Sequence, residues 1–463
     1  MASRQSIAGT QGTSVRRFWP LAAAAVIVGV AAAYNWVAAL AIVAGVLLLG
    51  FAFLDVSALV MGLLLLHMLG QPWHLSWASL SFGGANIYPN DVLVILLLGV
   101  VLQRWARSGA IPGSPGDAVG WSVALFLAYG VLSLARSIPL HGWMAFLGFR
   151  QQIAYAILFF LVLAVMHGRP SRKRLLAVIL IAAAGVGVNG IANLIAGKPY
   201  GWQTSSRTFR YLSSFQAMTL FFGLSLILGG IWSRRRPLWS YILAGLCLFG
   251  ILISQARSVW IAGVAGLLAG CLGSSWWRRV VLRLAIPAGI AVAILIATGG
   301  VEIGFDISKR AASLANVQED VSWVWRLFVW GEALEKLSAS PILGLGLGQS
   351  FVYFDPVRGI WERDRQIHNT YLELAYYVGA IGALLYLLFQ ALVLHRLLRA
   401  ARRLGRHPRA ALLSGLASCQ VCLMGVAFAN VVGASMTATI YTWILGAIAI
   451  LEVRDAERDL PAG

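Results

Sequence analysis

The chain has 463 residues, of which 59% are hydrophobic and only 11% charged, with a mean hydropathy of +0.79. Soluble domains are about 45–50% apolar, so this composition excludes a water-soluble fold and leaves little chain for a soluble domain. The formal net charge of +19 is scattered through short loops, which fits loops facing anionic membrane lipid and argues against a nucleic-acid partner.

Read in chain order, Met1 to Thr13 is polar, and Arg16 and Arg17 then precede an apolar run. No small-residue cleavage site is evident and more apolar runs follow, which predicts a first transmembrane helix rather than a removed signal peptide. Runs of about 20 apolar residues suit helices that cross a bilayer. They are expected near 19–34, 36–50, 52–70, 91–104, 120–136, 151–167, 175–196, 216–233, 238–255, 258–275, 283–300, 369–394, 411–432 and 436–452. The first three are crowded. The expected fold is an all-α polytopic bundle of about 12–14 transmembrane helices with one large outer loop. The chain divides into transmembrane helices over 1–300, the loop over 301–368, and C-terminal helices over 369–463.

Charge orients these spans. With the N-terminus in the cytoplasm, alternation places Arg104 and Arg107, Arg169 to Arg174, Arg234 to Arg236, Arg278 to Arg283 and Arg396 to Arg409 on the inner side. Short basic loops favour that side, and the C-terminus falls there too. The outer segments are then 71–90, with Trp73 and Trp77, then 197–215, and 301–368. Within the last, Trp323 to Leu337 has apolar residues at helical spacing interrupted by Glu332, Glu335 and Lys336. That pattern predicts an amphipathic helix on the membrane or over the bundle. Ser340-Pro341 ends it, and Gly344-x-Gly346-x-Gly348 follows as a flexible or closely packed turn.

The four cysteines, Cys247, Cys271, Cys419 and Cys422, all lie in apolar runs; Cys419-x-x-Cys422 has the spacing of half a zinc or redox motif, but such a setting favours small packing residues.

The residue that stands out is His368. It closes the longest polar stretch and opens an apolar helix. A titratable group at such a lip is a functional candidate; helix capping or an interfacial position is its bland alternative. Arg257 stands at a second outer lip, Arg150 opens another span, and Arg207 and Arg210 precede a third. Guanidinium forks suit phosphate oxygens, so the set suggests a lipid-linked diphosphate; taken singly, each arginine can equally snorkel to headgroups. Gln255, Asn369, Tyr371 and Arg365 join the candidates by proximity. Carboxylates occur without metal-ligand spacing, so neither a metal nor another cofactor is expected.

His368-Asn369, nine residues and then Gly379 resembles the histidine motif of the O-antigen ligase and polymerase superfamily. Arg257 with Ile261 resembles its arginine motif, with Ile where Leu is usual. Arg326 with Trp330, followed by Pro341-x-x-Gly344-x-Gly346-x-Gly348, resembles the segment that precedes the histidine there. The resemblance implies an inverting, metal-independent glycosyltransferase of the GT-C kind in the bacterial inner membrane. It implies an undecaprenyl-diphosphate-linked glycan as donor, used at the periplasmic face. A ligase would transfer that glycan to a sugar hydroxyl of the lipid A core; a polymerase of the same superfamily would extend it instead. His368 would then be the general base and Arg257 the holder of the diphosphate, with Arg207 or Arg210 as a second clamp; Arg150 and Arg326 join them as candidate substrate contacts. A transporter is the rival from another class. It would place charges along a path at mid-membrane, whereas the middles of these runs are almost uncharged.

Overall fold

The computed structural model describes residues 57, 60–64, 80–82, 85–108, 116–166, 168–198, 210–230, 238–283, 321–355, 359–363, 366–430 and 436–459. The spans expected at 19–34, 36–50 and 283–300, and most of 52–70, lie outside them. Helices dominate: α1 (Pro89–Ser108), α2 (Ala118–His141), α3 (Trp143–Gln152), α4 (Ile157–Val165), α5 (Arg169–Ile195), α6 (Ser214–Leu228), α7 (Leu238–Ile253), α8 (Arg257–Gly273), α9 (Val321–Leu337), α10 (Thr370–Leu404), α11 (Pro408–Ala429) and α12 (Met436–Arg458). Two antiparallel hairpins accompany them, β1 (Leu80–Phe82) with β2 (Ala85–Ile87), and β3 (Val352–Asp355) with β4 (Ile360–Arg363). The protein is a polytopic membrane protein. Among the described residues, five helical stretches are long and apolar enough to span: α2, α3 through α4, α5, α10 and α11. Helices α6, α7 and α8 are apolar but only 15, 16 and 17 residues long. At about 1.5 Å per residue they fall short of a ~30 Å hydrocarbon core.

Local chemistry sets the boundaries. Asp117 caps α2 by accepting from the Gly120 N–H at 3.0 Å. Ser213 and Gln216 form a reciprocal capping box on α6. His407 and Pro408 start α11. The span expected at 151–167 begins at Trp143, with a 3₁₀ turn over Ala154–Ala156 between α3 and α4. Arg150 therefore sits in the last turn of α3 rather than at the opening of a span. The basic stretch after 394, expected as a loop, extends α10 by ten residues from Leu394 to Leu404, because Leu, Ala and Arg are good helix formers. Gly405, at φ 56°, ends it.

α7 and α8 are joined by a short turn and both pack on α6. Gly250 of α7 lies against Leu220, and Gly263 of α8 against Phe221, neighbours on α6, so the chain reverses between them at 254–256. Exposed apolar rows such as Ile261, Val264, Leu268 and Leu272 on α8 mark the lipid-facing surface.

One end of the bundle is an ion-pair network. Arg172, 1% exposed, donates through Nε to Glu452 at 2.7 Å, through its fork to Asp455, and to the Met166 carbonyl at 3.1 Å. Arg169 pairs with Asp455 and Asp459, Arg409 with Asp459, and Arg396 and Arg454 with Asp117. Burial alone would raise the Asp117 carboxyl, but the Gly120 N–H, Arg454 and Arg396 outweigh it and hold it below the usual carboxylate range. These contacts gather the start of α2, α5 and α11 and the end of α10 and α12 on one side. That matches the alternation expected for these elements.

The opposite side carries a cap. α9, residues 338–350 and the β3–β4 hairpin enclose a second small core of Val329, Ala333, Phe351, Tyr353, Ile367 and Tyr376. The amphipathic helix expected over Trp323 to Leu337 is α9. Val324, Leu327 and Leu334 are exposed on it, and Phe354, Ile360 and Trp361 on the hairpin. The cap is joined to α10 at a kink. Gly379 has φ 75° inside α10, which removes helical partners from nearby backbone groups. The glycine turn supplies replacements: Leu345 N–H donates to the Tyr376 carbonyl at 2.8 Å, Gly346 N–H to Tyr377 at 3.0 Å, and Ala380 N–H to Pro341 at 2.9 Å. A Cβ on Gly344 would meet the Gly379 backbone, and one on Gly379 would meet Ile342 and Gly344. The glycine turn and Gly379, far apart in sequence, are two halves of one backbone junction.

Candidate functional site

His368 sits directly before α10, on the side of the cap. Asn369 caps the helix, its Oδ1 accepting from the Tyr371 and Leu372 N–H groups at 3.0 and 3.1 Å. This cap turns the chain sharply and leaves His368 at φ 58°. The imidazole is partly exposed. It lies edge-on to Trp325 of α9, ring centroids 5.3 Å apart, and Trp330 of α9 donates to the Ile367 carbonyl at 2.9 Å. The cap helix thus holds the histidine segment from above.

Arg257 begins α8, directly after the turn from α7. Gln255 just before it has φ 48°, is fully buried, and neither amide atom has a hydrogen-bond partner among the described residues. Burying such a group unsatisfied costs about 1–3 kcal/mol. Gln255 and His368 are also the two non-glycine residues with positive φ among the described residues. Strained backbone of this kind concentrates at functional sites.

Asn430 joins the two segments. Its Nδ2 donates to the Ser258 hydroxyl at 3.2 Å, beside Arg257. Its backbone carbonyl accepts from the Thr370 hydroxyl at 2.9 Å, two residues from His368. Helices α8 and α10 therefore begin side by side, and one residue at the end of α11 spans both starts. The sequence singled out neither Asn430 nor this contact.

The other expected residues fall at varying distances from this junction. Tyr371 donates to the Met424 carbonyl at 3.0 Å, so it and Asn369 hold the start of α10. Arg326, on α9 next to Trp325, donates to Ser322 at 3.0 Å, while its Nε is buried without a partner among the described residues. Burial pulls its guanidinium below the usual range. Arg210 precedes α6 two residues before Leu212, and both Leu212 and Ile253 pack on Gly190. It is thus on the level of the α7–α8 turn. Arg150 pairs with Asp91 at 3.4 Å and lies over the Tyr88 ring at 5.2 Å. Tyr155 also donates to Asp91 at 2.6 Å. Two residues on, Gln152 donates to the buried Glu373 at 2.8 Å and ties α3 to the first turn of α10. Arg207 and Arg365 lie outside the described residues. No group of three or more His, Cys, Asp or Glu side chains placed to hold a metal ion occurs among the described residues.

No curated protein matches the chain. A family model does, over residues 242–387. That interval runs from α7 through Arg257, α9 and His368 to just beyond the kink at Gly379. It leaves out Asn430, Arg150 and Arg210. Over that interval the chain is similar to the O-antigen ligase family (Wzy_C).

Proposed function

We propose that the protein is an O-antigen ligase, an inverting glycosyltransferase that moves a glycan from undecaprenyl diphosphate to a sugar hydroxyl of the lipid A core. In this reading the cap side faces the periplasm and both termini face the cytoplasm of a bacterial inner membrane. The observation that carries the reading is the Asn430 bridge, which sets the helix starts of Arg257 and His368 side by side.

The chemistry follows from the residue types. His368 accepts the proton of the acceptor hydroxyl as its oxygen attacks the anomeric carbon. The bond from that carbon to the diphosphate breaks, and the lipid diphosphate leaves carrying the charge. Arg257 takes that charge, with α8 contributing its N-terminal N–H groups. Arg326, desolvated and paired only with neutral Ser322 among the described residues, suits a further phosphate or glycan oxygen. Arg210 fits a second clamp on the diphosphate, and Gln255 a partner for the same group. Asn369 and Tyr371 act by holding the histidine turn. Arg207, Arg365 and Arg150 are outer contacts for the substrate, Arg150 through a guanidinium already oriented by Asp91. No protein nucleophile is required by an inverting displacement, since a sugar diphosphate already has a good leaving group.

The test is expression in a host that makes both lipid-linked O-antigen and free lipid A core, followed by electrophoresis of the lipopolysaccharide. Capped core is expected. Longer lipid-linked chains without capping would make the protein a polymerase instead. Asn430→Ala and Ser258→Ala each break the bridge and are expected to lower capping about 10- to 100-fold, since a misplacement near 1 Å costs that much. The double variant is expected to lose no more than either single one, because both remove the same contact. Additive losses would count against the bridge.

A further inference from the structure

The end of the bundle opposite the cap handles its cations in two ways. Around α5, α11 and α12 they are matched: Arg169, Arg172 and Arg409 sit against Glu452, Asp455 and Asp459. At the end of α10 Arg396 is matched by Asp117 and Glu457, but the arginines on the neighbouring face are not. His395, Leu398, Arg399, Arg402 and Arg403 line an open pocket of ≈ 330 Å³. None of the three arginines has a carboxylate within ion-pair distance among the described residues. Arg402 is held in place, its Nε donating at 3.0 Å to the Leu272 carbonyl in the last turn of α8. Its two terminal nitrogens remain for another acceptor. Three clustered guanidinium groups repel one another and raise the local demand for an anion.

The surface leading to this pocket is apolar. Ile381, Leu384 and Leu388 are exposed on α10, and steps of three and four residues along the same face lead through Ala391 to His395, Arg399 and Arg402. The exposed row of α8 ends at Leu272, the residue whose carbonyl Arg402 holds. From Leu388 to Arg399 is about 16 Å along the helix, close to half a ~30 Å hydrocarbon core. Two lipid-facing rows thus converge on one cationic pocket at headgroup depth.

We propose that this pocket binds the phosphate headgroup of an anionic lipid, whose acyl chains lie along the exposed faces of α8 and α10. A soluble diphosphate offers the same headgroup chemistry, but the apolar rows have a use only for a lipid. The test is native mass spectrometry of the full chain in detergent, titrated with cardiolipin, phosphatidylcholine or sodium pyrophosphate. Cardiolipin is expected to bind at least about tenfold more tightly than either other probe. Arg399→Gln/Arg402→Gln/Arg403→Gln is expected to lose at least about tenfold in cardiolipin affinity. Arg104→Gln/Lys173→Gln/Arg174→Gln removes the same charge outside the pocket and is expected to lose less than about twofold. Equal losses in the two triple variants would reduce the effect to net charge and overturn the site. Pyrophosphate binding as tightly as cardiolipin would overturn the lipid assignment. Arg399→Gln/Arg403→Gln keeps the Arg402 contact to α8 and guards against misfolding; unchanged affinity in it would overturn the proposal as well.

Discussion

His368→Ala is expected to reduce glycan transfer by about 10²–10⁴-fold, the usual contribution of a positioned general base, while the protein inserts and unfolds as the wild type does. The side chain touches the edge of Trp325 but is only partly buried. The backbone work at this turn is done by the Asn369 cap and the Trp330 bond to the Ile367 carbonyl. Neither uses the imidazole, so both remain when it is removed. The left-handed backbone adds a further check. At φ 58° a glycine is unstrained, so His368→Gly is expected to be no less stable than His368→Ala, and equally inactive. Capping of lipid A core is read on a gel and stability by thermal unfolding in detergent. Normal capping by either variant would remove the histidine from the mechanism.

Much of this candidate site was marked in the chain because its parts are punctuated. His368 and Arg257 are polar residues at the edges of apolar runs, and insertion energetics make such residues conspicuous. Asn430 is also at the end of an apolar run, yet its partners are 172 and 60 residues away. No local pattern connects them, and the link exists only once α8, α10 and α11 pack. Asn369 and Tyr371 were marked by proximity, and the structure gives them a nearer task in holding the helix start. The β3–β4 hairpin had a signal: Val352 to Asp355 and Ile360 to Arg363 are rich in β-branched and aromatic residues, with Gly359 between them. It was masked by its place inside a polar loop. The reach of α10 past Leu394 was hidden for the opposite reason. Its arginines look like a loop by charge but are good helix formers.

The largest loss of stability is expected from Arg172→Ala, at the far end from the histidine. Arg172 is buried and serves three acceptors, Glu452, Asp455 and the Met166 carbonyl. Truncation leaves Glu452 and Asp455 in a poorly solvated place, and of these two Arg169 and Arg458 pair with Asp455 alone. Breaking a buried pair in this way costs about 3–5 kcal/mol. Arg172→Lys is expected to recover little of it, because an ammonium cannot fork to two carboxylates. Arg172→Met with Glu452→Gln is expected to lie closer to wild type, since it removes charge from both partners. Thermal unfolding in detergent ranks the three, and a mild Arg172→Ala would mean that the network is solvated and contributes little. The comparison with His368→Ala separates two kinds of failure. Arg172→Ala should lose transfer only as far as it loses folded protein, because its ion pairs bind α5 to α12 at the end opposite the cap. If it instead abolished capping at full folded yield, the ion-pair network and the Asn430 junction would have to be coupled through α11, the helix whose Arg409 joins that network and whose far end leads into Asn430.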